Sequence, residues 1–524
     1  MAEQAQQARQ AEQLGAAYAI EGAALELGSV VVDGTAFPQA RVRMPLAMLN
    51  RHGLVAGATG TGKTKTLQLM AEQMSAAGIP VFLADIKGDV SGVAAPGVVS
   101  DRITDRAEDT ATDWAPTAFP AEFLALGGLG NGVPVRATMT SFGPVLLSKV
   151  LGLNDTQESS LGLVFHFADK AGLPLLDLKD LRAVISHLVS DEGKDDLTGL
   201  GGLSSATAGV ILRELIGLED QGGDAFFGEP EFDTADLLRL APDGRGVMSV
   251  MGLTALQDKP RLFSTFLMWM LADLFHDLPE IGDVEQPKLV FFFDEAHLLF
   301  DDASEAFLDA IARTVRLIRS KGVGVFFVTQ TPKDVPSEVL AQLGNRVQHA
   351  LRAFTPDDAK ALKATVSTFP ESEVYEVGEL LTSMGIGEAA VTILSERGAP
   401  TPVAWTRLRP PASLMAQLDP SVQTAMVQAS PLLADYGQSV DRESAYERLL
   451  QRVAPPEADQ VPEPASGPRD QDRDRDQEQG AVAKVLSSGV FRSFARAAAS
   501  AAGREITRSL FGTAPRRRRS PRRR

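Results

Sequence analysis

Short apolar runs separated by longer amphipathic segments set the rhythm of this chain. Gly53-Leu54-Val55-Ala56, Pro80-Val81-Phe82-Leu83-Ala84, Val247-Met248-Ser249-Val250-Met251, Leu289-Val290-Phe291-Phe292-Phe293 and Val323-Gly324-Val325-Phe326-Phe327-Val328 read as strands. The five consecutive apolar residues from Leu289 to Phe293 mark a strand buried on both faces of a parallel sheet. Helical periodicity fills the intervals: Lys65 to Met74, stopped by Gly78, then Leu161 to Ala171, Leu175 to Ser190, Leu203 to Leu218, Ala303 to Ser320 and Asp357 to Val366. Strand and helix in alternation predict an α/β fold with a mainly parallel sheet.

The same pattern divides the chain. Residues 1–16 form a polar helical leader. Residues 17–45 form a small β element, where Asp33-Gly34 joins the β-prone Val30-Val31-Val32 to the alternating Ala40-Arg41-Val42-Arg43-Met44 and suggests a hairpin. Residues 46–120 begin the α/β core. Residues 121–285 read as a mainly helical insertion that returns to the sheet, with Leu153-Asn154-Asp155-Thr156-Gln157 as a capped turn. Residues 286–410 complete the core; Gly385 to Val391 reads as a turn into a closing strand. A helical extension, 411–453, follows. The Pro-, Asp- and Gln-rich stretch 454–480 reads as a disordered linker. Residues 481–524 form a basic amphipathic helix and an Arg-rich tail.

Chemistry enters at the first strand end. Gly57-Ala58-Thr59-Gly60-Thr61-Gly62-Lys63-Thr64 matches the G-x-x-x-x-G-K-[ST] phosphate loop at every fixed position, with a strand before it and a helix after it. Glycines let such a loop point its backbone N–H groups at a polyphosphate, and the helix N-terminus adds partial positive charge. Lys63 is expected on the β- and γ-phosphates of ATP, and the Thr64 hydroxyl on Mg²⁺. Phe293-Asp294-Glu295 supplies the partners: Asp294 for the metal shell and Glu295 as general base for the attacking water. Gln330, at the tip of the strand ending in Thr329, is placed to sense the γ-phosphate. His297 is read as a packing residue or a support for the site, with no catalytic role. Arg313, Arg316 and Arg319 either solvate a helix face or provide an arginine finger to a neighbouring subunit. Asp85 and Asp89, after the second strand, face the ligand crevice or are solvated loop charges.

Composition narrows the class. The chain has 524 residues and no cysteine, which excludes disulfides, thiolate zinc sites, iron–sulfur clusters and a cysteine nucleophile. The first residues lack the apolar core of a signal peptide. The longest apolar candidate for a membrane span, Leu262 to Phe275, is interrupted by Asp273. No integral membrane segment and a cytoplasmic location are the expectations. Net charge is −17. Residues 484–524 hold twelve Lys or Arg against the single Glu505, so the body is more acidic than the whole. An acidic body argues against a broad nucleic-acid surface. The basic helix suits nucleic acid, an anionic membrane surface, the acidic body of a partner subunit, or solubility alone.

With these residues placed, the chain resembles the HerA–FtsK branch of ring-forming P-loop ATPases, and within it the bacterial YjgR-like group. The resemblance is carried by Gly57 to Thr64, Ala84 to Asp89, Leu153 to Gln157, Phe292 to His297, Val315 to Gly324 and Leu343 to Ala350. It implies a RecA-like P-loop core, ATP hydrolysis with Mg²⁺, a homo-hexamer, and in the wider branch translocation on double-stranded DNA. It also places the trans-acting arginine at Arg319, with Arg316 as the second choice. An ATP-regulated scaffold and a secretion or conjugation motor are the alternatives; Glu295 argues against the scaffold, since a pure binder needs no positioned base.

Overall fold

The structure is a computed structural model and describes residues 2–453 apart from 198, 200, 258, 283, 301, 302, 304 and 396. The linker, basic helix and tail expected at 454–524 lie outside the described residues. The chain folds as two units. The first takes in the described residues up to 135 and 232–438; the second takes in 136–231 and, among the described residues, 439–453.

The first unit holds one twelve-stranded sheet. In chain order its strands are β1 (Ala24–Val32), β2 (Thr35–Pro45), β3 (Gly53–Ala56), β4 (Val81–Asp85), β5 (Ala121–Leu126), β6 (Val133–Val135), β7 (Met248–Gly252), β8 (Leu289–Phe293), β9 (Val323–Thr329), β10 (Asn345–Gln348), β11 (Glu388–Thr392) and β12 (Ala404–Leu408). They lie side by side as β2-β1-β12-β11-β10-β3-β9-β8-β4-β7-β5-β6. From β10 through to β6 every neighbouring pair is parallel. From β10 to β2 every pair is antiparallel.

Every residue of β3, β4, β8 and β9 is buried. That is why these strands run apolar instead of alternating, up to Asp85 and Thr329 at the C-terminal ends of β4 and β9. Phe292 stacks on Phe326 with ring centroids 5.1 Å apart, and Phe293 meets Phe327 at 5.8 Å, so aromatic contacts tie β8 to β9. Gly53 is needed where β3 passes β9: a Cβ there would lie 2.2 Å from the Phe326 ring.

Two features differ from the sequence reading. The small β element is not a separate piece; β1 and β2 are long strands that extend the main sheet through β12. The stretch 121–285 is not one helical insertion. It opens with β5 and β6 in the sheet, and 232–285 also belong to the first unit. Short apolar runs such as Glu122-Phe123-Leu124-Ala125-Leu126 do not reveal by periodicity whether they are strand or buried helix.

The second unit is helical, built on Pro144–Val150, Asp155–Lys170, Leu178–Val189, Ser205–Asp220 and Ala445–Val453. The capped turn expected near Leu153 is present. The Asn154 side chain accepts the Gln157 N–H at 3.1 Å, and the Gln157 side chain accepts the Asn154 N–H at 3.0 Å. Asp180, fully buried, accepts N–H groups from Leu176, Asp177 and Tyr446 and the Ser444 hydroxyl, pinning the Ala445–Val453 helix to Leu178–Val189.

Candidate active site

Residues 57–64 leave the C-terminal end of β3 and run into the helix Lys63–Ala76. The loop is tied to the strands on both sides. The Gly57 N–H donates to the Thr329 carbonyl at 3.2 Å, and the Ala58 N–H to the Ala350 carbonyl at 2.8 Å. Inside the loop, the Thr61 hydroxyl donates to the Ala58 carbonyl at 2.7 Å, and the Thr61 N–H to the same carbonyl at 3.3 Å. Gly57 and Gly62 have φ of 153° and 112°, a region open to glycine at little cost. No side chain caps the Lys63–Ala76 helix at Gly62. Its first N–H groups are therefore left without a side-chain acceptor, which is the setting that binds phosphate.

Lys63 is 8% exposed and donates to the Ala58 carbonyl of its own loop at 3.3 Å. Burial lowers its pKa, against the opposing pull of the Glu295 and Asp294 carboxylates. Those two acids follow β8 and are almost fully buried, at 1% for Asp294 and 5% for Glu295. The Asp294 Oδ1 accepts the Glu295 N–H at 2.9 Å, and the Asp294 Oδ2 is buried without a protein hydrogen-bond partner. Burial, followed by the neighbouring Glu295, pushes the Asp294 carboxyl up to about 7. A buried carboxylate oxygen with no partner is costly unless a cation or donor meets it. That orphaned oxygen fits a hard divalent cation, which takes few protein ligands and fills its shell with phosphate and water oxygens. Among the described residues no cluster of three or more His, Cys, Asp or Glu could hold a metal by itself.

Glu295 has φ of 46°, unusual for a residue with a side chain. The Lys87 ammonium, from the loop after β4, pairs with the Glu295 Oε1. The Glu295 Oε2 lies 3.3 Å from the His297 Nδ1. Of the two roles expected for His297, this contact favours that of a support beside the acid. The Ala296 N–H donates to the Val328 carbonyl at 2.9 Å, which joins the end of β8 to β9.

Sheet order explains the assembly. β9 lies between β3 and β8 and runs parallel to both, so the loop, the acids and Gln330 all emerge at one edge. Gln330 is exposed there. Asp334 braces its turn by accepting the Thr329 hydroxyl at 2.7 Å and the Thr331 N–H at 2.9 Å. Arg319 lies elsewhere. It sits in the turn Arg319–Lys321 before β9 begins, at the opposite end of that seven-residue strand. At about 3.3 Å per residue, β9 puts roughly 20 Å between Arg319 and its own phosphate loop. Arg313 and Arg316 are exposed and line an open groove of about 370 Å³ with Asp309, Glu338 and Gln342.

Sequence reasoning passed over three contributors. His349 is fully buried against the loop: its Nε2 lies 2.8 Å from the Thr66 Oγ1, and a Cβ at Gly57 would come within 2.4 Å of its Cβ. The Gly387 N–H donates to the Thr61 carbonyl at 2.9 Å, and Arg106 holds the Gly387 and Ile386 carbonyls at 2.9 and 3.1 Å. Lys87 is the third. All three lie in stretches whose pattern was legible, but their partners are distant in sequence. Asp85 turns inward. Its carboxylate accepts the Gly88 and Val90 N–H groups at 2.7 and 3.1 Å and shapes the loop that carries Lys87. Burial raises its pKa to about 6.

A glycine loop between a buried strand and an uncapped helix, with an acid pair two strands away on a parallel sheet, defines the class of P-loop nucleoside triphosphatases. A family model described as helicase HerA-like C-terminal matches residues 32–519, and the chain belongs to that family. Two solved structures of TrwB agree on the fold. The plasmid coupling protein TrwB in complex with ADP and Mg²⁺ is similar at 17% identity with a TM-score of 0.51, covering 78% of this chain and 94% of TrwB. TrwB with a non-hydrolysable ATP analogue gives a TM-score of 0.50 at the same identity and coverage. VirB4 of Thermoanaerobacter pseudethanolicus is 15% identical with a TM-score of 0.46, covering 74% of this chain and 97% of VirB4. A search of curated protein sequences gives no match.

Proposed function

We propose that this chain is a Mg²⁺-dependent ATPase working as a subunit of a homo-hexameric ring that moves along double-stranded DNA. The observation that carries the hydrolytic part is the convergence of the 57–64 loop with the buried Asp294–Glu295 pair at one sheet edge, Asp294 having an orphaned oxygen. The nucleotide complexes of TrwB support the choice of ligand. In this reading Lys63 and the loop N–H groups from Gly57 to Thr64, through Ala58, Thr59, Gly60, Thr61 and Gly62, bind the phosphates. Thr64 and Asp294 hold Mg²⁺, which neutralises charge on the phosphate oxygens. Glu295 accepts the proton of the attacking water as the bond to the γ-phosphorus forms and the bond to the ADP oxygen breaks. Gln330 orients that water. Arg319, far from its own loop, serves the loop of a neighbouring subunit.

The motor function rests on the family the chain belongs to. A motor of the conjugative coupling kind is the second reading, favoured by the similarity to TrwB. Among the described residues no helix is long and apolar enough to cross a membrane. The test is the ATPase rate with and without double-stranded DNA at low salt. The DNA reading expects stimulation; an assembled ring whose rate ignores DNA would sink it while leaving the ATPase intact.

A further inference from the structure

Glu295 is the residue best placed to take a proton from water, yet both of its carboxylate oxygens face nitrogen atoms. Lys87 Nζ pairs with the Oε1, and His297 Nδ1 stands 3.3 Å from the Oε2. The Oε2 makes no hydrogen bond, so it is the Lys87 ion pair that occupies the carboxylate, and an anion that draws Lys87 away leaves the Oε1 open to water. Lys87 is the more exposed of the two neighbours. Its side chain is 46% exposed against 29% for His297 and 6% for Glu295. It reaches in from solvent on a loop whose Gly88 has φ of 80°.

Lys63 shows a parallel arrangement. Its ammonium holds the Ala58 carbonyl of the loop itself, a protein acceptor standing where a phosphate oxygen would be taken up. Lys63 is close enough to Lys87 to be repelled by it, and both lysines feel the charges of Glu295 and Asp294. A triphosphate in the loop would bring its terminal phosphoryl group to this charge cluster, and that group carries more negative charge than one carboxylate. The stronger anion takes the exposed lysine.

On this basis, and resting on the nucleotide reading above, we propose that Lys87 is a second phosphate-binding residue that recognises the γ-phosphate of a nucleoside triphosphate, moving from Glu295 to it and so freeing the base. The loop after β4 thereby distinguishes triphosphate from diphosphate, and the Glu295 Oε1 is opened to water when a triphosphate is present.

The test uses the full chain with Mg²⁺ and measures equilibrium binding of ADP and of the non-hydrolysable analogue adenylyl imidodiphosphate. Loss of one charged hydrogen bond to a phosphate predicts that Lys87→Ala binds the analogue about ten- to a hundred-fold more weakly, with ADP affinity unchanged. Lys87→Arg, which keeps the cation, restores most of the analogue affinity. Lys87→Gln, close to lysine in size, gives the same separation of the two ligands if Lys87→Ala does not fold. Analogue affinity equal to wild type in both neutral variants, or equal losses for ADP and analogue, overturns the proposal. Wild-type protein that binds neither ligand overturns the nucleotide reading instead, so the two failures are distinguishable.

Discussion

His349 Nε2 lies 2.8 Å from the Thr66 Oγ1 in the first turn of the helix that carries Lys63 and Thr64. The His349 N–H also donates to the Ala56 carbonyl at 2.7 Å, at the last residue before the phosphate loop. One buried residue just past β10 therefore braces the loop at its strand side through its backbone and at its helix side through its ring. Lys63 and the glycine loop owe their shape to a residue nearly three hundred positions away.

That contact makes Gly57 the most sensitive glycine of the loop. Its φ of 153° is strained for a side chain, and a Cβ would meet the His349 Cβ at 2.4 Å. Gly57→Ala is expected to lower stability by about 2 kcal/mol and abolish nucleotide binding. Gly60→Ala, with φ of 78° and open space around its Cβ, meets only the backbone strain and is expected to cost about 1 kcal/mol. Denaturant titration of the two variants checks the order; equal costs would refute the role assigned to His349.

His52 is fully buried and accepts the Val325 N–H through its Nδ1 at 3.1 Å. Burial, with help from Arg319 and Arg51, lowers its pKa from 6.5 to about 4. The unfolded chain then takes up the proton first. The stability contributed by neutral His52 is complete above pH 6.5 and is lost as pH falls towards 4. Its full size is at most about 3 kcal/mol. The stability difference between wild type and His52→Asn is expected to shrink over that window, read from denaturation at several pH values. A difference constant with pH would contradict the assignment.

Glu295→Gln keeps the shape of the side chain and removes its basicity. Turnover is expected to fall by at least a hundredfold while ATP binding persists. Steady-state rates together with equilibrium nucleotide binding check this; an active Glu295→Gln enzyme would move the base elsewhere.

Arg319→Ala is expected to spare nucleotide binding and reduce turnover by about a thousandfold, the scale of a lost arginine finger. In mixtures with wild-type chains it should depress activity more than in proportion to its share. A strictly proportional loss would mean that Arg319 does not act across a subunit boundary. Its place at the far end of β9 already removes it from its own loop.

What the sequence determined by itself was local. A phosphate loop is eight adjacent residues whose glycines act through the backbone and whose lysine acts through its own side chain, so Gly57 to Thr64 could be read without knowing the fold. The all-apolar β8 announced a strand buried on both faces, because burial leaves no polar side to alternate with. The capping box at Asn154 and Gln157 joins residues only three positions apart and was equally legible. What the tertiary structure decided was adjacency. Putting β9 between β3 and β8 brings Gln330 and the acids to the loop and carries Arg319 away from it. β1 and β2 join the main sheet because β12 returns beside them, a pairing that no local pattern encodes. Lys87 reaches Glu295 across 208 positions, and His349 reaches Thr66 across 283. Such contacts depend on strand order and register, which are fixed by the packing of the whole sheet and not by any run of residues within it.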